Sequence, residues 1–84
     1  MRVLFLPDAF QQYLHWQERD RAMLAKINRL IRECQRHPFE GTGKPEPLRG
    51  DYSGFWSRRI DREHRLVYRA EGDTLVILQC RYHY

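Results

Sequence analysis

The amino-acid sequence predicts an α+β domain in which two N-terminal helices pack on one face of a mostly antiparallel sheet, in the order β-α-α-β-β-β. Three observations carry this prediction. From Phe10 to Cys34 the apolar residues recur at three- and four-residue steps, the period of helices with one buried side. After Gly54 the apolar runs are short, rich in aromatic and β-branched residues and separated by tight turns, which makes neighbouring strands antiparallel. A length of 84 residues leaves room for one core, so residues 1–84 form a single domain.

The opening Arg2-Val3-Leu4-Phe5-Leu6, stopped by Pro7, reads as a strand buried on both faces. Pro7 suits the first position of a helix and Asp8 its positive end; Phe10, Tyr13, Leu14 and Gln17 then line one side to about Gln17. Asp20 can cap a second helix whose Met23, Leu24, Ile27, Leu30, Ile31 and Cys34 make one apolar stripe. Arg36 and His37 suit its negative end, and Pro38 stops it. Its outward cations, Arg21, Lys26, Arg29, Arg32 and Arg36, read as a solvated face in preference to an RNA-binding stripe.

Residues 38–54 hold three of the four prolines and four of the five glycines without apolar periodicity, and read as a long loop. Loops of that length in compact domains are often functional. Three strands are expected after it, Phe55 to Ile60, Arg65 to Ala70 and Thr74 to about Tyr82. Strict alternation along them sends Trp56, Arg58, Ile60, Leu66, Tyr68, Ala70, Val76, Leu78, Cys80 and Tyr82 to the core. The opposite face then gathers Arg59, Arg65, Arg81 and His83.

Composition narrows the function. No apolar run approaches the roughly 18 residues of a membrane span, and no secretory h-region is read at the start, so a soluble, cytoplasmic protein without a membrane partner is expected. Cys34 and Cys80 offer neither metal spacing nor a disulfide framework, and both are expected as buried thiols. No metal and no cofactor are expected, and the glycines match no nucleotide-binding fingerprint. The net charge is only +4, yet 13 of the 15 cations are Arg, whose planar fork suits phosphate oxygens.

An Arg cluster with a His on a sheet face suits a phosphodiester. Cleaving RNA without metal needs a base for the 2′-hydroxyl, cations for the equatorial oxygens and an acid for the departing 5′-oxygen. Glu46, Arg65 and His83 are the candidates for these roles. Glu46 stands between Pro45 and Pro47, whose restricted backbones make a stiff presenter of its carboxylate. His83 can hold and release a proton near neutrality.

Five motifs in order are then recognisable: Pro38-Phe39-Glu40-Gly41, Gly43-Lys44-Pro45-Glu46-Pro47-Leu48, Ser53 to Ile60, His64-Arg65-Leu66-Val67-Tyr68, and Cys80-Arg81-Tyr82-His83-Tyr84. Together with Trp16-Gln17-Glu18 and the second helix, they make the chain resemble the YoeB toxins of the RelE/ParE toxin superfamily. The resemblance implies the microbial-ribonuclease-like fold of RelE and YoeB, and a type II toxin that cuts mRNA in the ribosomal A site and so inhibits translation. It implies catalytic roles for Glu46, Arg65, His83 and Tyr84, and RNA contacts from Arg59, with Lys44, Arg49 and Arg81 as further phosphate contacts. Implied partners are a YefM-like antitoxin, the ribosome and mRNA, a second copy of the chain, and operator DNA only through the antitoxin complex. Two other readings stay open: a gyrase poison of the same fold, and a non-catalytic nucleic-acid-binding module.

Overall fold

A computed structural model describes residues 1–83. Strand β1 (Arg2–Phe5) leads into helices α1 (Pro7–Arg19) and α2 (Arg21–Arg36). Strands β2 (Glu46–Pro47), β3 (Trp56–Arg59), β4 (Arg65–Glu71) and β5 (Thr74–Gln79) follow, with a short 3-10 turn at Gly50–Tyr52. The sheet runs β1-β5-β4-β3-β2; the β1–β5 pair is parallel and the other pairs are antiparallel.

Local chemistry sets both helices. Pro7 occupies the first turn of α1, where its missing N–H costs nothing. Asp20 is the only residue between the helices: its own N–H closes on the Trp16 carbonyl at 2.9 Å, and its carboxylate accepts the Met23 N–H at 3.1 Å. From α2, Met23, Ile27, Leu30, Ile31 and Cys34 are buried, as the stripe predicts, against Leu66, Tyr68, Leu75 and Ile77 of the sheet. Burying one such aliphatic side chain stabilises the fold by about 1.5–3 kcal/mol. The Cys34 and Cys80 thiols are buried too, and desolvation pushes the Cys80 thiol up to about 12.

Three expectations are corrected. β1 is not buried on both faces: it lies at the sheet edge, where Val3 is 36% and Leu4 50% exposed. The long loop is not devoid of regular structure, because Glu46–Pro47 adds an edge strand to β3. Proline tolerates that place because an edge strand leaves one side unpaired.

The third correction concerns β5. Leu75 and Ile77, not Val76 and Leu78, pack on the helices. Val67 pairs with Gln79 while Tyr68 pairs with Ile77, so Leu78 is the extra residue of a β-bulge. Before the bulge the alternation is opposite to the expected one; after it, Gln79 turns outward with Val67 and Cys80 inward, as expected. The strand also ends at Gln79, so Tyr82 is not a core residue but is 52% exposed.

Candidate active site

Register decides which side chains share the sheet face away from the helices. Cross-strand partners lie on one face, which puts Glu46, Ser57, Val67 and Gln79 in one row and Arg59 opposite Arg65 in the next. Glu46 and Arg65 are two strands and one alternation apart. Their Cα atoms are therefore separated by about 12 Å at a strand spacing of about 4.8 Å and a rise of about 3.3 Å. Two extended side chains and a phosphodiester between them fill that gap.

Like charges directly opposite each other destabilise a sheet, so the Arg59–Arg65 pair is a local cost that an anion would offset. Ser57 Oγ and Arg65 Nε add to this, since both are buried without a hydrogen-bond partner among the described residues. Buried polar atoms are seldom left so. Between the Glu46 carboxylate and the paired guanidiniums the outer face thus carries donors suited to phosphate oxygens.

His83 lies in the segment that follows β5, whose backbone is held next to Arg65. The Tyr82 carbonyl accepts the Arg65 N–H at 3.0 Å, which brings the backbone of His83, one peptide further on, close to Arg65; His83 is exposed. Lys44 is exposed with φ 51, just after Gly43, whose carbonyl accepts the Arg59 N–H at 2.7 Å. Arg49 is exposed at the start of the 3-10 turn, outside the Glu46 to Arg65 rows. Arg81 does not join Arg59 and Arg65: its guanidinium lies 5.8 Å from the Trp16 ring and 4.5 Å from the Tyr82 ring. The alternation that assigned it to the outer face ends with β5 at Gln79. Tyr84 lies outside the described residues.

Alternation sent Arg58 to the core, and what it does there was not legible. Its side chain is fully buried and all five of its N–H groups are used. Nε donates to the Tyr68 hydroxyl at 3.0 Å, and Nη1 to Glu33 at 2.7 Å and to the Thr42 carbonyl at 3.2 Å. Nη2 donates to the His37 and Glu40 carbonyls at 2.5 and 2.8 Å. Tyr68 in turn donates to the Pro38 carbonyl at 2.6 Å. This network ties residues 37–42 to the sheet immediately before the segment that carries Lys44 and Glu46. Thr42, donating through its hydroxyl and its amide, and Arg58 hold the Glu33 carboxyl below its ordinary range. A charged residue between Trp56 and Ile60 on the core side was the signal in the sequence.

Fold and site together define a class: a small basic α+β protein whose sheet carries Glu46 in one row of its helix-free face and Arg59 opposite Arg65 in the next, with His83 exposed in the segment after β5. Residues 5–84 match the family described as YoeB-like toxin of bacterial type II toxin-antitoxin system. A toxin YoeB of Streptomyces coelicolor is 57% identical over 84 residues, covering the whole of both chains. The solved YoeB/ParE toxin from Agrobacterium tumefaciens superposes with a TM-score of 0.96 at 50% identity, again over the whole of both chains. The Staphylococcus aureus YoeB, 42% identical with a TM-score of 0.93 over 100% of this chain and 98% of that one, has been solved in a heterotetrameric complex with YefM and as a dimer. The chain belongs to the YoeB toxin family of type II toxin–antitoxin systems.

Proposed function

We propose that this toxin is a metal-independent endoribonuclease that cuts mRNA in the A site of the ribosome. Glu46 takes the proton of the 2′-hydroxyl, and the 2′-oxygen attacks the adjacent phosphorus. Arg65 and Arg59 neutralise the charge gathering on the equatorial oxygens, and His83 gives a proton to the 5′-oxygen as its bond to phosphorus breaks. The products are a 2′,3′-cyclic phosphate, or the 3′-phosphate it opens to, and a 5′-hydroxyl. Tyr84 stacks on a base or orients the phosphate, and Lys44 and Arg49 are further phosphate contacts.

One observation carries this reading: Arg59 and Arg65 face each other across β3 and β4 on the same face as Glu46, and the buried Nε of Arg65 has no hydrogen-bond partner among the described residues. Such an arrangement is unfavourable on its own and favourable around a phosphate. In cells the partners would be the ribosome, mRNA and a YefM-like antitoxin, with operator DNA reached only through the antitoxin complex; a homodimer and a cytoplasmic location belong to the same reading. An acidic antitoxin segment that folds on binding would cover the basic face and displace His83.

The test is cleavage of mRNA on translating ribosomes, with the product ends identified. Glu46→Ala and His83→Gln should each slow cutting by about 10²- to 10⁴-fold while leaving ribosome binding largely intact. Wild-type rates in both variants would refute the assignment, and inhibited gyrase supercoiling without cut RNA would replace it with the gyrase-poison reading.

A further inference from the structure

The segment after β5 holds a conformation that its own residues do not favour. Tyr82 has φ 67, in the left-handed region that an aromatic residue seldom enters. Such a residue stays there only where its surroundings over-determine it. Four side chains do so. The Cys80 N–H donates to Gln12 Oε1 at 2.8 Å, and Trp16 Nε1 donates to the Cys80 carbonyl at 2.9 Å, which together fix the start of the turn. The Tyr82 N–H donates to Nδ1 of His64 at 2.8 Å. Gln79 Nε2 lies 3.0, 3.2 and 3.0 Å from the carbonyl oxygens of Arg81, Tyr82 and His83, shared among all three.

His64 is itself immobilised. It is 9% exposed, its ring packs edge-on against Trp16 at 4.9 Å, and its Nε2 is 3.4 Å from the Glu63 carboxylate. A ring nitrogen that accepts an amide N–H carries no proton, so Nδ1 is the bare nitrogen and Nε2 bears the hydrogen. His64 directly precedes Arg65, whose own N–H holds the Tyr82 carbonyl. One dipeptide, His64-Arg65, thus bonds both the N–H and the carbonyl of Tyr82, and with Gln79 it sets where the backbone of the next residue, His83, stands relative to Arg65.

We propose that His64 and Gln79 are positioning residues that hold the turn at Tyr82 and thereby keep the His83 imidazole beside Arg65. The proposal rests on the ribonuclease reading, in which His83 is the general acid. A displacement of about 1 Å in such a group costs about 100-fold in rate.

The test uses four variants of the full chain and their crosses with His83→Gln. His64→Leu removes the acceptor at similar volume, whereas His64→Asn keeps an oxygen near the place of Nδ1. Gln79→Met removes the donor, and Gln79→Glu sets a carboxylate against three carbonyl oxygens. On programmed ribosomes, His64→Leu and Gln79→Glu should lower kcat by about 10- to 100-fold with KM within about twofold, and His64→Asn should restore most of the rate. Gln79→Met should fall between. In the His83→Gln background the same changes should cost almost nothing further, because the group they position is gone. Hydrogen exchange at the Tyr82 amide should quicken in His64→Leu and stay slow in His64→Asn.

Should His64→Leu fail to fold, the half-buried Gln79 pair and His64→Asn carry the test. Wild-type cutting in His64→Leu and Gln79→Glu, or undiminished losses on top of His83→Gln, would overturn the clamp and leave the nuclease standing. A wild-type protein that leaves translated mRNA intact would instead overturn the nuclease reading and the clamp's catalytic purpose with it, whatever the exchange data show.

Discussion

Arg58 is the residue on which the preparation of the site turns. A buried guanidinium is tolerable only when each of its donors is met, and here one carboxylate, three carbonyls and a phenol meet all five. Replacing it with Met would strand these groups, and the expected loss of about 3–5 kcal/mol is measurable by denaturant unfolding. Its partner Glu33 makes the effect depend on pH. Because Thr42 and Arg58 lower the folded-state pKa, the carboxylate stabilises the fold at pH values above the ordinary carboxyl range, and that contribution disappears as pH falls through the lowered value. Glu33→Gln should therefore cost about 1–2 kcal/mol near neutrality and progressively less in acid, where the two thermal midpoints converge.

Among the elements, α2 is held by its ends as much as by its face. One residue, Asp20, ends α1 and caps α2, so Asp20→Ala should cost about 1 kcal/mol, read from the thermal midpoint, without altering the register of the sheet. The bulge at Leu78 does more than adjust one strand. It lets Leu75 and Ile77 serve the core while Gln79, two residues later, faces outward to grip the following carbonyls. Without it, the same strand would send Gln79 toward the helices or Ile77 away from them. β2 is the shortest element, yet its pairing with β3 is what brings the Pro-flanked Glu46 into the same row as Ser57 and Val67.

At the scale of the molecule, charge is distributed for contact and not for capture. A net charge of +4 neutralises few phosphates, so attraction to free RNA should fade at physiological salt. Lys26 and Arg29 line a cleft of about 320 Å³ with Arg59 and Glu33, so the cations of α2 and of β3 border one cleft together with a carboxylate. We expect poor cutting of naked RNA and efficient cutting of the same message under translation. Equal rates on both, measured at one salt concentration, would contradict a role for the ribosome in positioning.

How far the sequence reaches differs with the range of the interaction. The helices, the Asp20 cap, the turns and the buried stripe of α2 were determined by residues within a few positions of one another, and so were readable: periodicity and capping are local. The motifs likewise named Glu46, Arg59, Arg65 and His83 before any register was known. Only the tertiary structure decided that β1 is an exposed edge, that β5 changes face at Leu78, that Arg58 closes a buried network, that Arg81 lies over Trp16, and that His64 and Gln79 hold the turn before His83. Each of these depends on a partner distant in sequence, and alternation along a strand carries no information about where a bulge resets it or which carbonyl a buried side chain will find.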